Sequence, residues 1–311
     1  MTPAPYLSDV AEGPASTRCV WVNARDGLRL RIALTPVEGA TATVLIFPGR
    51  TEVVEKYGRI ASMLAENGFA SATLDWRGQG LSDRMLDDPL IGHVDRFIDY
   101  QQDVAAVVET AASALPGPFL LLAHSMGGCI GLRAVLEGLD VRAAAFSAPM
   151  WGIAMPALRA PFNLAGTILA DSLGFGHLRA PSTARHSYIL DTPFRENSLT
   201  SDPDDWAYMH RQVAAEPRFA LAGPSLRWLR EAIAECRWLA RQSPRDLNIF
   251  TGLGSLESIV ATDPIHARMA NWPRGQLIEV EGARHELLME APGLRRQFVT
   301  PMLELFNRSL G

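Results

Sequence analysis

The stretch Phe119-Leu120-Leu121-Leu122-Ala123-His124-Ser125-Met126-Gly127-Gly128 decides how the rest of the chain is read. An apolar run stops at a serine flanked by small residues, and a segment of helical character, Gly128 to Leu136, follows. Where a strand turns sharply into a helix, the positions two before and two after the turn have almost no room for a side chain; here they are Ala123 and Gly127. The serine between them is then held strained at the end of the strand, the outline of a nucleophile elbow. Ala170-Asp171-Ser172-Leu173-Gly174 fits the same short pattern, but Gly174, Gly176 and Pro181 break any helix after it. Ser125 is the candidate nucleophile.

Outward from this point the same rhythm repeats. Val44 to Phe47 precedes a helical pattern around Tyr57 to Asn67, ended by Gly68. Ala70 to Leu74 precedes a long loop and a helix near Asp95 to Ala114, and Arg142 to Ser147 follows the elbow helix. Continuous apolar strands separated by helices predict an α/β fold with a mostly parallel sheet buried on both faces. Arg18 to Val22 and Leu28 to Leu34, joined at Asp26-Gly27, predict an antiparallel hairpin before it. The rhythm breaks near Pro149 and resumes at Leu247 to Thr251, so residues 15–149 and 242–311 are expected to form the core, with 150–241 inserted as a mostly helical cap. A helix near Asp263 to Asn271, a strand from Gln276 to Val280 and a terminal helix from Leu294 to Ser309 complete the pattern, with Pro301 expected to kink or divide the last helix.

With 48% hydrophobic residues among 311, the chain has ample material for one large core. A net charge of -5 without a concentrated basic patch argues against nucleic acid as a partner. Cys19, Cys129 and Cys236 are odd in number and widely spaced, the usage of buried thiols in a reducing compartment. Met1 to Pro14 lacks the basic start and apolar centre of a signal peptide, and no apolar run approaches the ~18–20 residues that span a bilayer. A cytoplasmic location is expected. Neither H-E-x-x-H spacing nor G-x-G-x-x-G after a strand occurs, so no metal and no cofactor is expected.

A serine needs a base and an orienting carboxylate. His285, in Glu281-Gly282-Ala283-Arg284-His285-Glu286 after the last strand, is the expected base, because loops at the carboxyl ends of strands gather in one crevice. His124 adjoins Ser125 but belongs to the other face of its strand and is expected to pack. Glu257, in the loop after the penultimate strand, is the better candidate for the carboxylate, with Asp263 as the alternative. Backbone N–H groups of Met126 and of Arg50, in Phe47-Pro48-Gly49-Arg50-Thr51-Glu52, are the expected oxyanion donors. Asp75-Trp76-Arg77-Gly78-Gln79-Gly80-Leu81-Ser82-Asp83 reads as a buried turn that ties its loop down.

Pro48-Gly49-Arg50-Thr51-Glu52, Asp75-Trp76-Arg77-Gly78-Gln79-Gly80-Leu81-Ser82, His124-Ser125-Met126-Gly127-Gly128 and the His285 loop, in that order, resemble the α/β-hydrolase superfamily. The resemblance is to its lysophospholipase and monoacylglycerol lipase branch, whose members are also grouped as serine aminopeptidase-like hydrolases. It covers nearly the whole chain outside the N-terminal dozen residues and the cap. It implies an α/β-hydrolase fold and Ser-His-Glu hydrolysis of the acyl ester of a monoacyl lipid through an acyl-enzyme, as a lysophospholipase first and a monoacylglycerol lipase or general carboxylesterase as the alternative, with at most transient contact with a membrane surface. Pro48 stands where many relatives have histidine, although the bacterial lysophospholipase-like group resembles this Pro-Gly-Arg form. Glu257 stands where many have aspartate. Glu52, Trp151 and Met155 are expected to contact substrate; Met150, Phe162, Leu164, Ile168, Leu169, Leu173 and Phe175 suit either an acyl pocket or the cap's own core. A peptidase that removes N-terminal residues is the competing reading. It would need a cap carboxylate for the substrate amine, from Glu196, Asp202, Asp204, Asp205 or Glu216. A ligand-binding protein without catalysis is the third.

Overall fold

The computed structural model describes residues 1–154, 166 and 169–311. Nine strands form one sheet: β1 Thr2–Ala4, β2 Arg18–Asn23, β3 Arg29–Thr35, β4 Ala42–Phe47, β5 Phe69–Asp75, β6 Phe119–His124, β7 Ala143–Ser147, β8 Asn248–Gly254 and β9 Gly275–Val280. Their order across the sheet is β1-β2-β3-β5-β4-β6-β7-β8-β9. The strands β5, β4, β6, β7, β8 and β9 run parallel, and β1, β2 and β3 join antiparallel at one edge. The expected hairpin is β2–β3, in register Arg18↔Leu34. Every residue of β4 and of β7 is buried, which is why both read as unbroken apolar runs.

Helices Gly58–Glu66, Tyr100–Ala114, Ser125–Glu137, Asp263–Ala270 and Pro292–Arg308 flank the sheet. Two apolar clusters result. One holds Leu45, Phe47, Leu121, Ala123, Ile130, Phe146 and Ile249, the other Val44, Ile46, Leu120, Leu122, Phe250, Phe298 and Phe306. Alternate residues of β4 and β6 fall in opposite clusters, the two-residue alternation of a strand applied to a sheet covered on both sides. The terminal helix runs undivided through Pro301.

Between β7 and β8 the described residues include helices Tyr188–Asp191, Pro203–Ala215 and Leu226–Ala240 and shorter turns. The last of these helices does not stand apart. Trp228, Ala232, Cys236 and Leu239 pack in the same cluster as Ile130 and Phe146. β1 was not foreseen, because its Thr-Pro-Ala has no strand signature and is held by pairing with β2. The helix expected from Asp95 begins at Tyr100, after a single 3-10 turn at Phe97–Asp99.

Candidate active site

The sheet order reverses at β4, whose neighbours are β5 on one side and β6 on the other. Such a reversal opens a crevice at the carboxyl ends of the strands. The loop after β4 and the elbow after β6 meet there. Ser125 has φ 48°, a left-handed conformation that a side-chain-bearing residue rarely adopts. A Cβ on Gly127 would collide with the carbonyls of Phe47 and Pro48, and one on Gly128 would lie 2.5 Å from the Pro149 side chain. Gly127 lets the elbow helix close directly onto the loop that follows β4, and Gly128 onto the one that follows β7.

His285 Nδ1 lies 2.6 Å from Glu257 Oε2, and both side chains are buried. Glu257 Oε1 accepts from the Ile259 and Val260 N–H groups at 2.7 and 3.1 Å, so the carboxylate is fixed by its own loop. Burial pushes its pKa up, but the hydrogen bond and charge of His285 and the two N–H donors outweigh it and hold it below the usual 4.5. The alternative carboxylate, Asp263, is exposed at the start of the next helix. Ser125 and His285 line one cavity. Among the described residues no hydrogen bond joins them, a looseness common in active sites before substrate is seated.

Three consecutive N–H groups differ in their partners. Gly49 N–H donates to Glu52 Oε2 at 2.5 Å and Thr51 N–H to Gln79 Oε1 at 2.7 Å. Arg50 N–H, between them, has no acceptor among the described residues. Met126 N–H belongs to the first turn of its helix, where amides have no intrahelical partner. Gln79 also reaches Met126 Sδ at 3.6 Å, and Trp76 Nε1 donates to Pro48 O at 2.8 Å. The Asp75–Asp83 turn therefore bridges the two segments. It is itself held by Asp75, which accepts from Arg31 Nε, Val54 N–H and Leu81 N–H at 2.7–2.9 Å.

Beneath the cavity lies a buried ionic cluster. Lys56 Nζ sits 2.6 Å from both Glu52 Oε1 and Glu286 Oε1, and His124 Nε2 lies 3.3 Å from Glu286 Oε2. The Tyr57 hydroxyl donates to Glu52 Oε2 at 2.6 Å. Burial pushes the His124 pKa down, but Glu286 and Glu52 raise it above 6.5; burial pushes Glu286 up, but His124 and Lys56 draw it well below 4.5. Glu52, His124 and Glu286 converge closely enough to resemble a metal site, but the Lys56 ammonium already takes the place of a cation between the carboxylates. His124 is buried as expected, although its surroundings are charged rather than apolar. Its ring lies 4.8 Å from that of His285.

The cavity holds about 480 Å³, within the range of small-molecule pockets, and its walls are largely Met150, Tyr188, Leu199, Met209, Leu221 and Trp228. Two of the expected substrate contacts fall among the described residues. Glu52 reaches the cavity wall, but both its oxygens are engaged by Lys56, Tyr57 and Gly49, because a buried carboxylate needs donors. Trp151 turns away: its Nε1 donates to Gly128 O at 3.1 Å, its ring packs on Phe146, and Met150 faces the cavity instead. Met155, Phe162, Leu164 and Ile168 lie outside the described residues. Of the five cap acids, none lines the cavity: Asp202 caps a helix, Asp204 and Asp205 pair with Arg59, and Glu216 pairs with Arg218. The sequence reading missed the Lys56–Glu286 pair, although Glu52 and Lys56 stand at the i, i+4 spacing of a helical ion pair.

A family model described as "Serine aminopeptidase, S33" matches residues 38–292. The chain belongs to this family. It is 32% identical over 301 residues to lysophospholipase L2 of Escherichia coli (strain K12), covering 91% of this chain and 85% of the relative. A probable lysophospholipase L2 of Haemophilus influenzae is 26% identical over 285 residues. Among solved structures, a soluble variant of monoglyceride lipase from Saccharomyces cerevisiae superposes with a TM-score of 0.75 at 19% identity, over 99% of this chain and 100% of that one. That likeness is one of fold, an α/β-hydrolase with flanking helices, and this S33-family chain is an ester hydrolase.

Proposed function

We propose that the protein cleaves the acyl ester of single-chain lipids as a lysophospholipase. Ser125 attacks the ester carbonyl, His285 takes the hydroxyl proton, and Glu257 orients the imidazole and stabilises its charged form. The N–H groups of Arg50 and Met126 receive the developing oxyanion. His285 then returns the proton to the leaving alcohol, and water releases the fatty acid from the acyl-enzyme by the same steps. Residues 150–241 act as the cap over this chemistry, and the exposed side chains Leu173, Phe175 and Leu178 favour a transient contact with a lipid surface.

One observation carries the choice of substrate. The carboxylates in the cavity wall, Glu52 and Glu286, are both engaged by Lys56 and its neighbours. No acid among the described lining residues is left to hold the amine of a peptide, while the apolar walls suit an acyl chain. Each buried methylene contributes up to about 0.8 kcal/mol, roughly fourfold in affinity. Efficiency on p-nitrophenyl esters is expected to rise with chain length and then level off, with aminoacyl amides barely cleaved. Ser125→Ala is expected to lose fluorophosphonate labelling and turnover by at least about 10³-fold. Flat chain-length dependence together with rapid cleavage of aminoacyl amides would reverse the substrate assignment in favour of a peptidase.

A further inference from the structure

Arg50 contributes more than its amide to the cavity. Its guanidinium gives a single hydrogen bond among the described residues, from Nη2 to Ala222 O at 2.5 Å, and lies 5.3 Å from the Trp228 ring centre. Nε is sealed from solvent without an acceptor. Burial lowers its pKa to about 10, against an opposing effect of Tyr100. Arg50 is partly buried; the buried arginines Arg31, Arg77 and Arg133 each face carboxylates. Arg50 has none among the described residues, and residues 155–168 contain no acid. Arg84, Arg268 and Arg284 also rest on carbonyls, but they lie outside the cavity wall, whereas Arg50, Ala222 and Trp228 all line it.

Desolvating a cation without an anion is costly, and an anion that enters the cavity beside Arg50 would offset that cost. The space for it is built in. A Cβ on Gly92 would lie 2.5 Å from Arg50 Nη2, so glycine there makes room for the guanidinium. The fork of donors on an arginine matches the oxygens of a phosphate. Arg50 and Ser125 line the same cavity, so a phosphate on the substrate's head group and the ester that Ser125 attacks can share it. We infer that the Arg50 side chain binds a phosphate group carried by the substrate's head group, making this residue the determinant of lysophospholipid over neutral monoacylglycerol. The inference rests on the ester-hydrolase reading and narrows it.

The test compares a lysophospholipid and a monoacylglycerol of equal acyl length, on wild type and on Arg50→Met. The ratio of kcat/KM between the two is expected to fall at least about tenfold in the variant, mainly through KM. A second measurement does not need the variant to fold. On the wild-type enzyme hydrolysing a p-nitrophenyl ester, decyl phosphate is expected to inhibit competitively at least about tenfold better than the decyl ether of glycerol. Equal inhibition by the two amphiphiles, or an equal loss on both lipids in Arg50→Met, would overturn the phosphate assignment and leave the ester hydrolase standing. Inhibition by inorganic phosphate as strong as by decyl phosphate would make this a free-anion site and overturn the head-group assignment. If the wild type hydrolyses neither lipid, the functional reading itself falls.

Discussion

Glu257 gives one carboxylate oxygen to its own loop and the other to His285, so its position is fixed before the histidine arrives. An amide in its place would present an NH2 group to Nδ1 and favour the tautomer whose Nε2 already carries a proton, which cannot act as base. Glu257→Gln is expected to lower kcat on the order of 10³–10⁴-fold while leaving thermal stability within a few degrees, measured on a soluble ester and by melting. Asp263→Asn should be close to wild type. If Asp263→Asn is crippled and Glu257→Gln is not, the carboxylate has been misassigned. The geometry that brings Glu257 to His285 was legible because both loops follow strands of one parallel sheet. The roles of Glu52 and of the Arg50 side chain were not legible, because each depends on partners brought near by folding. Glu286, which shares Lys56 with Glu52, lies 230 positions from that lysine, and Ala222 lies 172 from Arg50.

The segments after β4 and β9 and the end of β6 converge at the base of the site through the Glu52–Lys56–His124–Glu286 cluster rather than through apolar contact. Its two titrating ends respond oppositely to pH. Glu286 is held well below 4.5 in the folded protein, so its contribution is whole above that pH and is lost as pH falls. His124 is raised above 6.5, so its contribution is whole in acid and fades as pH rises through the raised value. Glu286→Gln is expected to melt lower than wild type at neutral pH, with the gap narrowing as pH falls below the usual carboxylate range, where the unfolded chain binds a proton that the folded one still excludes. A gap of constant size from about pH 3 to 8 would mean that Glu286 acts through packing alone. Element boundaries elsewhere followed chain chemistry where it was local, as with Asp26-Gly27 between β2 and β3. They slipped where tertiary contact decides: Asp95 contacts His93 and Arg227 instead of opening the helix that starts at Tyr100.

The molecule places an apolar cavity between a reversal in strand order and an inserted segment whose last helix is anchored in the main core. Among the described residues before that helix, a few apolar side chains stand open. Leu173 is 63% and Phe175 50% exposed, with Leu178 close in sequence, and all three lie outside the cavity wall. Apolar side chains this open are costly unless they meet another apolar surface during use. A substrate that resides in membranes or micelles supplies one, and adsorption would then raise the local substrate concentration without altering the chemistry. Leu173→Ser combined with Phe175→Ser is therefore expected to reduce hydrolysis of a lysophospholipid presented in vesicles about three- to tenfold, each buried apolar side chain being worth about 1.5–3 kcal/mol at most. A short-chain p-nitrophenyl ester in free solution should be hydrolysed as fast as by wild type. Vesicle co-sedimentation should fall in parallel. A loss of equal size on both substrates would mean that these side chains hold the insertion in place over Ser125, and the adsorption argument would be withdrawn in favour of a packing role.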